Sequence, residues 1–182
     1  GAMPNLRGAE IAHPLSPRGE AFGVAIDAAG ACIAGDARLE GANIKGETRL
    51  SRAQIGGALL LGGGRFLNSG ARALDAGGAR IGGAVCLAIS ADGYAPHGQK
   101  TVVEGGASFQ AAHIQGDVTW RGLELRGPSA SGDRGGALSF ADARIAGATR
   151  ALALTTHQGA RIDMAGAACA PPARHAQWQS RS

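Results

Sequence analysis

The chain has 182 residues, 31 of them glycine, with 45% apolar and only 4% aromatic residues. That length suits one domain or one repeat array; the glycine keeps no Gly-X-Y triplet, which excludes collagen, and no apolar run is long enough to span a membrane as a helix. The net charge of +4 comes from scattered arginine, which points to a solvated surface and away from the concentrated basic patch that nucleic acid prefers.

Gly1-Ala2-Met3 reads as a protease-cleavage remnant, so residues 1–8 are set aside as remnant and extension, and a single domain is predicted over residues 9–168. Ile11 and Phe22 open a register that runs on through Ile33, Ile44, Ile55 and Phe66, each eleven residues after the last. Leu39, Leu50 and Leu61 fall between them, so large apolar residues recur at alternating steps of six and five. Small residues stand two positions earlier: Ala31, Ala37, Ala42, Thr48 and Ala53. Residues 13–19 break the pattern with Pro14 and Pro17, which interrupt a strand ladder, and read as a cap on the array. After Phe66 the steps lengthen to eight at Leu74 and seven at Ile81, with the extra residues in turn-like text.

The motif returns with Ala79, Ile81, Val85 and Leu87. Residues 88–101 carry Gly, Pro and Asp where a core needs aliphatic groups, and are predicted as a protruding loop that replaces part of a turn. Order resumes at Val103, Phe109, Ile114, Trp120 and Leu125, with Trp120 on the core register. A second loop is predicted over residues 126–136, after which Phe140, Ile145, Ala160 and Ile162 complete the array. Residues 169–182, with Pro171-Pro172 and then mostly polar text around Trp178, read as a tail or linker, Trp178 being a candidate docking residue.

Residues two apart share one face of a strand, whereas a helix repeats at three and four. Ala42 with Ile44, Thr48 with Leu50, Ala53 with Ile55, and Ala79 with Ile81 are therefore predicted as inward pairs on very short strands. Gly35, Gly46, Gly57, Gly83, Gly116 and Gly147 each follow a large residue by two positions and are predicted at corners that demand a positive φ. Four faces of five, six, five and six residues close a coil of about 22. Stacked at about 4.8 Å, six or seven such coils make a rod roughly 30 Å long. The predicted fold is all-β: a right-handed parallel β-helix with four-sided coils, short parallel strands and glycine corners, the hand following the rule for parallel crossovers.

These units carry a family resemblance. GANIK, RAQIG, GARIG, AAHIQ, DARIA and GARID are similar to the units of the pentapeptide-repeat family, roughly A-(D/N)-L-x-x, over residues 9–162. The alternation of five with six departs from the strict pentapeptide period. Bactofilins are also similar: glycine-rich, right-handed, polymer-forming β-helices with coils nearer three six-residue faces. Both resemblances imply a rigid solenoid that acts by contact. Pentapeptide-repeat proteins that mimic DNA to bind topoisomerases need a strongly negative surface, and the positive charge here departs from that requirement.

No catalytic, cofactor or metal residues are assigned. Asp92, Asp117, Glu124, Asp133 and Asp142 include no pair spaced for polysaccharide cleavage. Cys86 with His97 or His113 lacks a third orienting group, and the five histidines show no ligand spacing. GGARIGG and LGGGR lack the Gly-Lys-Ser/Thr ending of a phosphate loop. Cys32 and Cys86 are predicted to point outward, and the odd total of three cysteines fits a reducing, cytoplasmic setting, with membrane association arising only through flanking segments.

Asn43, Arg65, His113 and Arg144 each precede a large inward residue and are predicted to form an outward, weakly basic interaction ladder. The expected function is a non-enzymatic scaffold that binds a protein partner or itself through its coil ends. The alternative is a ligand- or carbohydrate-active site beneath the 88–101 and 126–136 loops.

Overall fold

The structure, a computed structural model, describes residues 23–69, 71–87, 100–127, 138–157 and 160–169, together with the backbone of 10–12. Its strands are two to four residues long and follow one another around a square. The first coil is β1 (Glu10–Ala12), β2 (Val24–Asp27), β3 (Cys32–Ile33) and β4 (Ala37–Arg38). The second is β5 (Asn43–Lys45), β6 (Glu47–Arg49), β7 (Gln54–Ile55) and β8 (Leu59–Leu60). The third is β9 (Arg65–Leu67), β10 (Leu74–Asp75), β11 (Arg80–Ile81) and β12 (Val85–Cys86).

The fourth coil is β13 (Thr101–Glu104), β14 (Ala107–Ser108), β15 (His113–Ile114) and β16 (Val118–Arg121). The fifth is β17 (Leu123–Arg126), β18 (Leu138–Ser139), β19 (Arg144–Ile145) and β20 (Thr149–Leu152). The last holds β21 (Thr155–His157), β22 (Ile162–Asp163) and β23 (Ala168–Cys169). Every fourth strand joins the same sheet, giving three six-stranded sheets and one five-stranded sheet, all parallel. We number the sides one to four after β1, β2, β3 and β4. Among the described residues there is no helix, hence none long and apolar enough to cross a membrane.

The predicted period holds where nothing is inserted: Ile33 pairs with Ile55, and Ile44 with Phe66, steps of 22 residues. Residues eleven apart are therefore half a coil apart and lie on opposite sides. Side three stacks Ile33, Ile55, Ile81, Ile114 and Ile145 in register, and side one stacks Ile44, Phe66, Val103 and Leu125. All but Ile33 are buried, as are the preceding alanines Ala53, Ala79, Ala112 and Ala143. Phe109 stacks on Phe140 with centroids 4.9 Å apart, and Trp120 lies against Phe140 at 5.9 Å, inside the coil as predicted. A fully buried Ile or Phe contributes roughly 1.5–3 kcal/mol. Strands this short are thus held by the stack across coils, not by their own length.

Insertions fall at corners and leave the sides intact. The predicted loops at 88–101 and 126–136 lie mostly outside the described residues, but their anchors are clear. The first follows Leu87 at the end of a complete third coil and leads into β13, which opens a complete fourth. It joins side four of the third coil to side one of the fourth, and the expectation that it replaces part of a turn falls on residues outside the described ones. The second leaves β17 on side one and returns at β18 on side two.

The corner glycines have two separate causes. Gly46 has φ +125°, as predicted for a corner. Gly57, Gly83, Gly116 and Gly147, between sides three and four, are not in the left-handed region. They are required because a Cβ on one coil would enter the backbone of the coil before it. At Gly83 that Cβ would stand 2.8 Å from both Ala58 N and Gly57 C. The closeness lets the ladder continue around the corner. Gly57 N–H donates to the Gly35 carbonyl at 3.0 Å, Gly83 N–H to Gly57 at 2.8 Å, and Gly116 N–H to Gly83 at 3.0 Å.

A left-handed residue recurs in every turn between sides two and three. Gly30, Arg52, Gly78, Ala111, Asp142 and Gly166 occupy the same turn position with φ of 54–68°. Each precedes a closing bond of the type II pattern, such as Ala53 N–H to the Leu50 carbonyl at 3.0 Å.

These two corners respond oppositely to one methyl group. Gly83→Ala is expected to destabilise the protein by about 1–3 kcal/mol, because coils must part to admit the Cβ. Ala111→Gly removes a left-handed strain of roughly 1–2 kcal/mol against a glycine entropy cost of roughly 0.5–1, and is expected to be mildly stabilising. Urea midpoints measured on both variants separate the two causes. Thr48 faces the core, fully buried, and its Oγ1 has no hydrogen-bond partner among the described residues. Thr48→Val is expected to gain about 1 kcal/mol by the same measurement.

Candidate functional site

A solenoid of this kind offers its outward strand positions and its corners, so each candidate residue is located by side. Asn43 and Arg65 pair on side one, while His113 and Arg144 pair on side three. The predicted four-residue ladder is thus two short columns on sides that do not adjoin. The cause is the half-coil step: equal local positions eleven residues apart alternate between sides one and three. Sequence reading also passed over Arg80, although it precedes Ile81 as Arg144 precedes Ile145. In the structure the side-three column runs Cys32, Gln54, Arg80, His113, Arg144, Ala168 in unbroken register, every one exposed.

Two shallow grooves flank the corner between sides two and three. One, of about 730 Å³, runs past Ser51, Arg52, Gly77, Ser108 and Gln110, with the Arg72–Asp75 ion pair at 3.2 Å on its wall. The other, of about 400 Å³, lies on side three between Gln54, Arg80, His113 and Gln115. Its floor includes Gly56 and Gly82, where a Cβ would strike the backbone carbonyl of the preceding coil. The floor is therefore bare peptide, walled by amide, imidazole and guanidinium groups.

The acidic candidates belong to other faces. Asp117 sits between sides three and four, where its carboxylate accepts from Ala148 N–H at 2.8 Å and pairs with Arg150. The Ala148 bond, reinforced by Arg150, holds its pKa below the ordinary value. Glu124 on side one accepts from Arg126 Nε at 2.7 Å and stands 3.3 Å from His157 Nε2. The Arg126 bond likewise lowers its pKa. A glycosidase acid needs a raised pKa, so both carboxylates are set up as structural anions. Asp142 occupies one of the left-handed turn positions between sides two and three. Asp92, Asp133, His97 and Trp178 lie outside the described residues. Cys86 projects outward from side four between Leu60 and Thr119, and His113 from side three, so the proposed thiol–imidazole pair is not on one face. Cys32 is outward and exposed, as predicted.

Carboxylates whose pKa is depressed by folding add stability above their unfolded pKa and lose it as pH falls through the folded value. Stability is expected to hold down to the ordinary values of 4.5 for Glu124 and 3.8 for Asp117, then to decline. Glu124→Gln and Asp117→Asn should lie below wild type at pH 7, and the gap should narrow as pH falls below 4.5 and 3.8 respectively, which urea titrations across that range will measure. No protein-family model matches the chain, and no curated protein does either.

Proposed function

We propose that this protein is a non-enzymatic scaffold, a pentapeptide-repeat-like β-solenoid that acts through contacts and associates with itself through its coil ends. The observation that carries this reading is the state of the last coils. β20 ends the side-four sheet, paired on one edge with β16 and on the other with no described strand. All four of its residues are exposed. Leu152 is 60% exposed and Leu154 39%, and these are the large hydrophobic residues that the described surface leaves open. An unpaired strand edge beside exposed leucines is a ready template for another chain.

Two further features support the pentapeptide-repeat likeness. In Ala42-Asn43-Ile44, Ala53-Gln54-Ile55 and Ala79-Arg80-Ile81 the small and the large residue are both buried. The coil is four-sided, as such repeats require.

Light scattering against concentration tests the reading. Molar mass is expected to rise from monomer with concentration, and Leu152→Glu combined with Leu154→Glu should keep the chain monomeric without lowering its thermal midpoint. A mass that stays monomeric at every concentration would overturn self-association.

A further inference from the structure

We infer that side three is a binding surface for a linear acidic polysaccharide laid along the solenoid axis. Arg80, His113 and Arg144 stand on three consecutive rungs of one outward column. With strands about 4.8 Å apart, the two arginines are roughly 10 Å apart with an imidazole between them. Two guanidiniums on one outward column repel one another and do nothing for folding. Elsewhere unpaired arginines stand singly, as Arg65 on side one and Arg121 on side four, and the others have acids beside them. Side one pairs Arg126 with Glu124, side two Arg49 with Glu47, and side four Arg38 with Asp36 and Arg150 with Asp117. The strands of side three contain no carboxylate, and neither Arg80 nor Arg144 is in an ion pair among the described residues. The closest acid in sequence is Asp142, on the turn before β19. The column holds two guanidiniums without counterions and an imidazole between them, beside the glycine-floored groove.

The chemistry around that row selects among polyanions. Gln54 and Gln115 line the groove with amides suited to hydroxyl groups. Side three has no aromatic residue on which a nucleobase could stack. It has no exposed large apolar residue to enter a membrane, since Leu152 and Leu154 lie on and beyond side four. Its central strands β7, β11, β15 and β19 are paired on both edges, so no free edge remains for an added peptide strand. A chain of sugars with regularly spaced carboxylate or sulfate groups fits what is left. This inference is independent of self-association through the coil ends.

Affinity electrophoresis of the whole chain through gels containing polygalacturonate, heparin or neutral dextran tests it, with oligo(dT) and phosphatidylglycerol vesicles as competitors. Retardation is expected in the polygalacturonate or heparin gels, the two distinguishing carboxylate from sulfate, and not in dextran. Arg80→Ala with Arg144→Ala should weaken it about tenfold, as expected for losing two charge-assisted contacts, at unchanged thermal midpoint. Arg38→Ala with Arg121→Ala, on side four, should leave it unchanged, as should the Leu152→Glu/Leu154→Glu variant. Absence of retardation in both acidic gels, equal loss in the two arginine pairs, or tighter binding of oligo(dT) or vesicles through Arg80 and Arg144 would each overturn the inference.

Discussion

The structure depends on how closely one coil can approach the next. At the corner between sides three and four, backbone meets backbone with no room for a single Cβ, and glycine fills that place at 57, 83, 116 and 147. The ladder of N–H to carbonyl bonds then passes through the corner unbroken from Gly35 to Gly116. Without it, buried peptide groups at the corner would lose their partners, at a cost comparable to that of the hydrogen bonds themselves. Side chains as different as Cys86, Thr119 and Arg150 can follow on side four because the spacing has already been set there.

With the coils held at strand spacing, the interior becomes columns of like residues. Five isoleucines superpose on side three with alanines two residues before each, while other sides bury two large residues, as Leu59 with Leu61 and Leu123 with Leu125. The stacking of Phe109 on Phe140, nearly parallel at 10°, follows from the same register. The exterior is likewise arranged in columns, so any chemistry on it is repeated at rung spacing. Sides one, two and four each set an acid beside an arginine, whereas the strands of side three carry two arginines on one column and no acid. That difference is the most specific feature of the described surface.

The coil ends behave differently from the walls. Along the walls every central strand is paired on both edges, and insertions are displaced to corners, where extra residues cost little because loop closure grows only slowly with length. At the last coils the pairing runs out on side four, and Leu152 and Leu154 remain in solvent. One molecule thus carries two kinds of surface, a repetitive polar wall and an apolar end.

The small–x–large spacing by itself determined that the chain is a parallel solenoid with four-sided coils near 22 residues, because a strand repeats at two and a corner must follow each short strand. It also determined which residues face inward, from Ile44 to Ile145. It could not decide which outward residues share a wall. A local pattern is the same on sides one and three, so Asn43, Arg65, His113 and Arg144 look alike in sequence, although the fold divides them and adds Arg80 to the second pair. Nor could it separate a glycine at a positive φ with open space around it, as at Gly30, from one needed for close approach, as at Gly83. Both distinctions rest on contacts between residues a full coil apart, and such contacts exist only once the ribbon has wound.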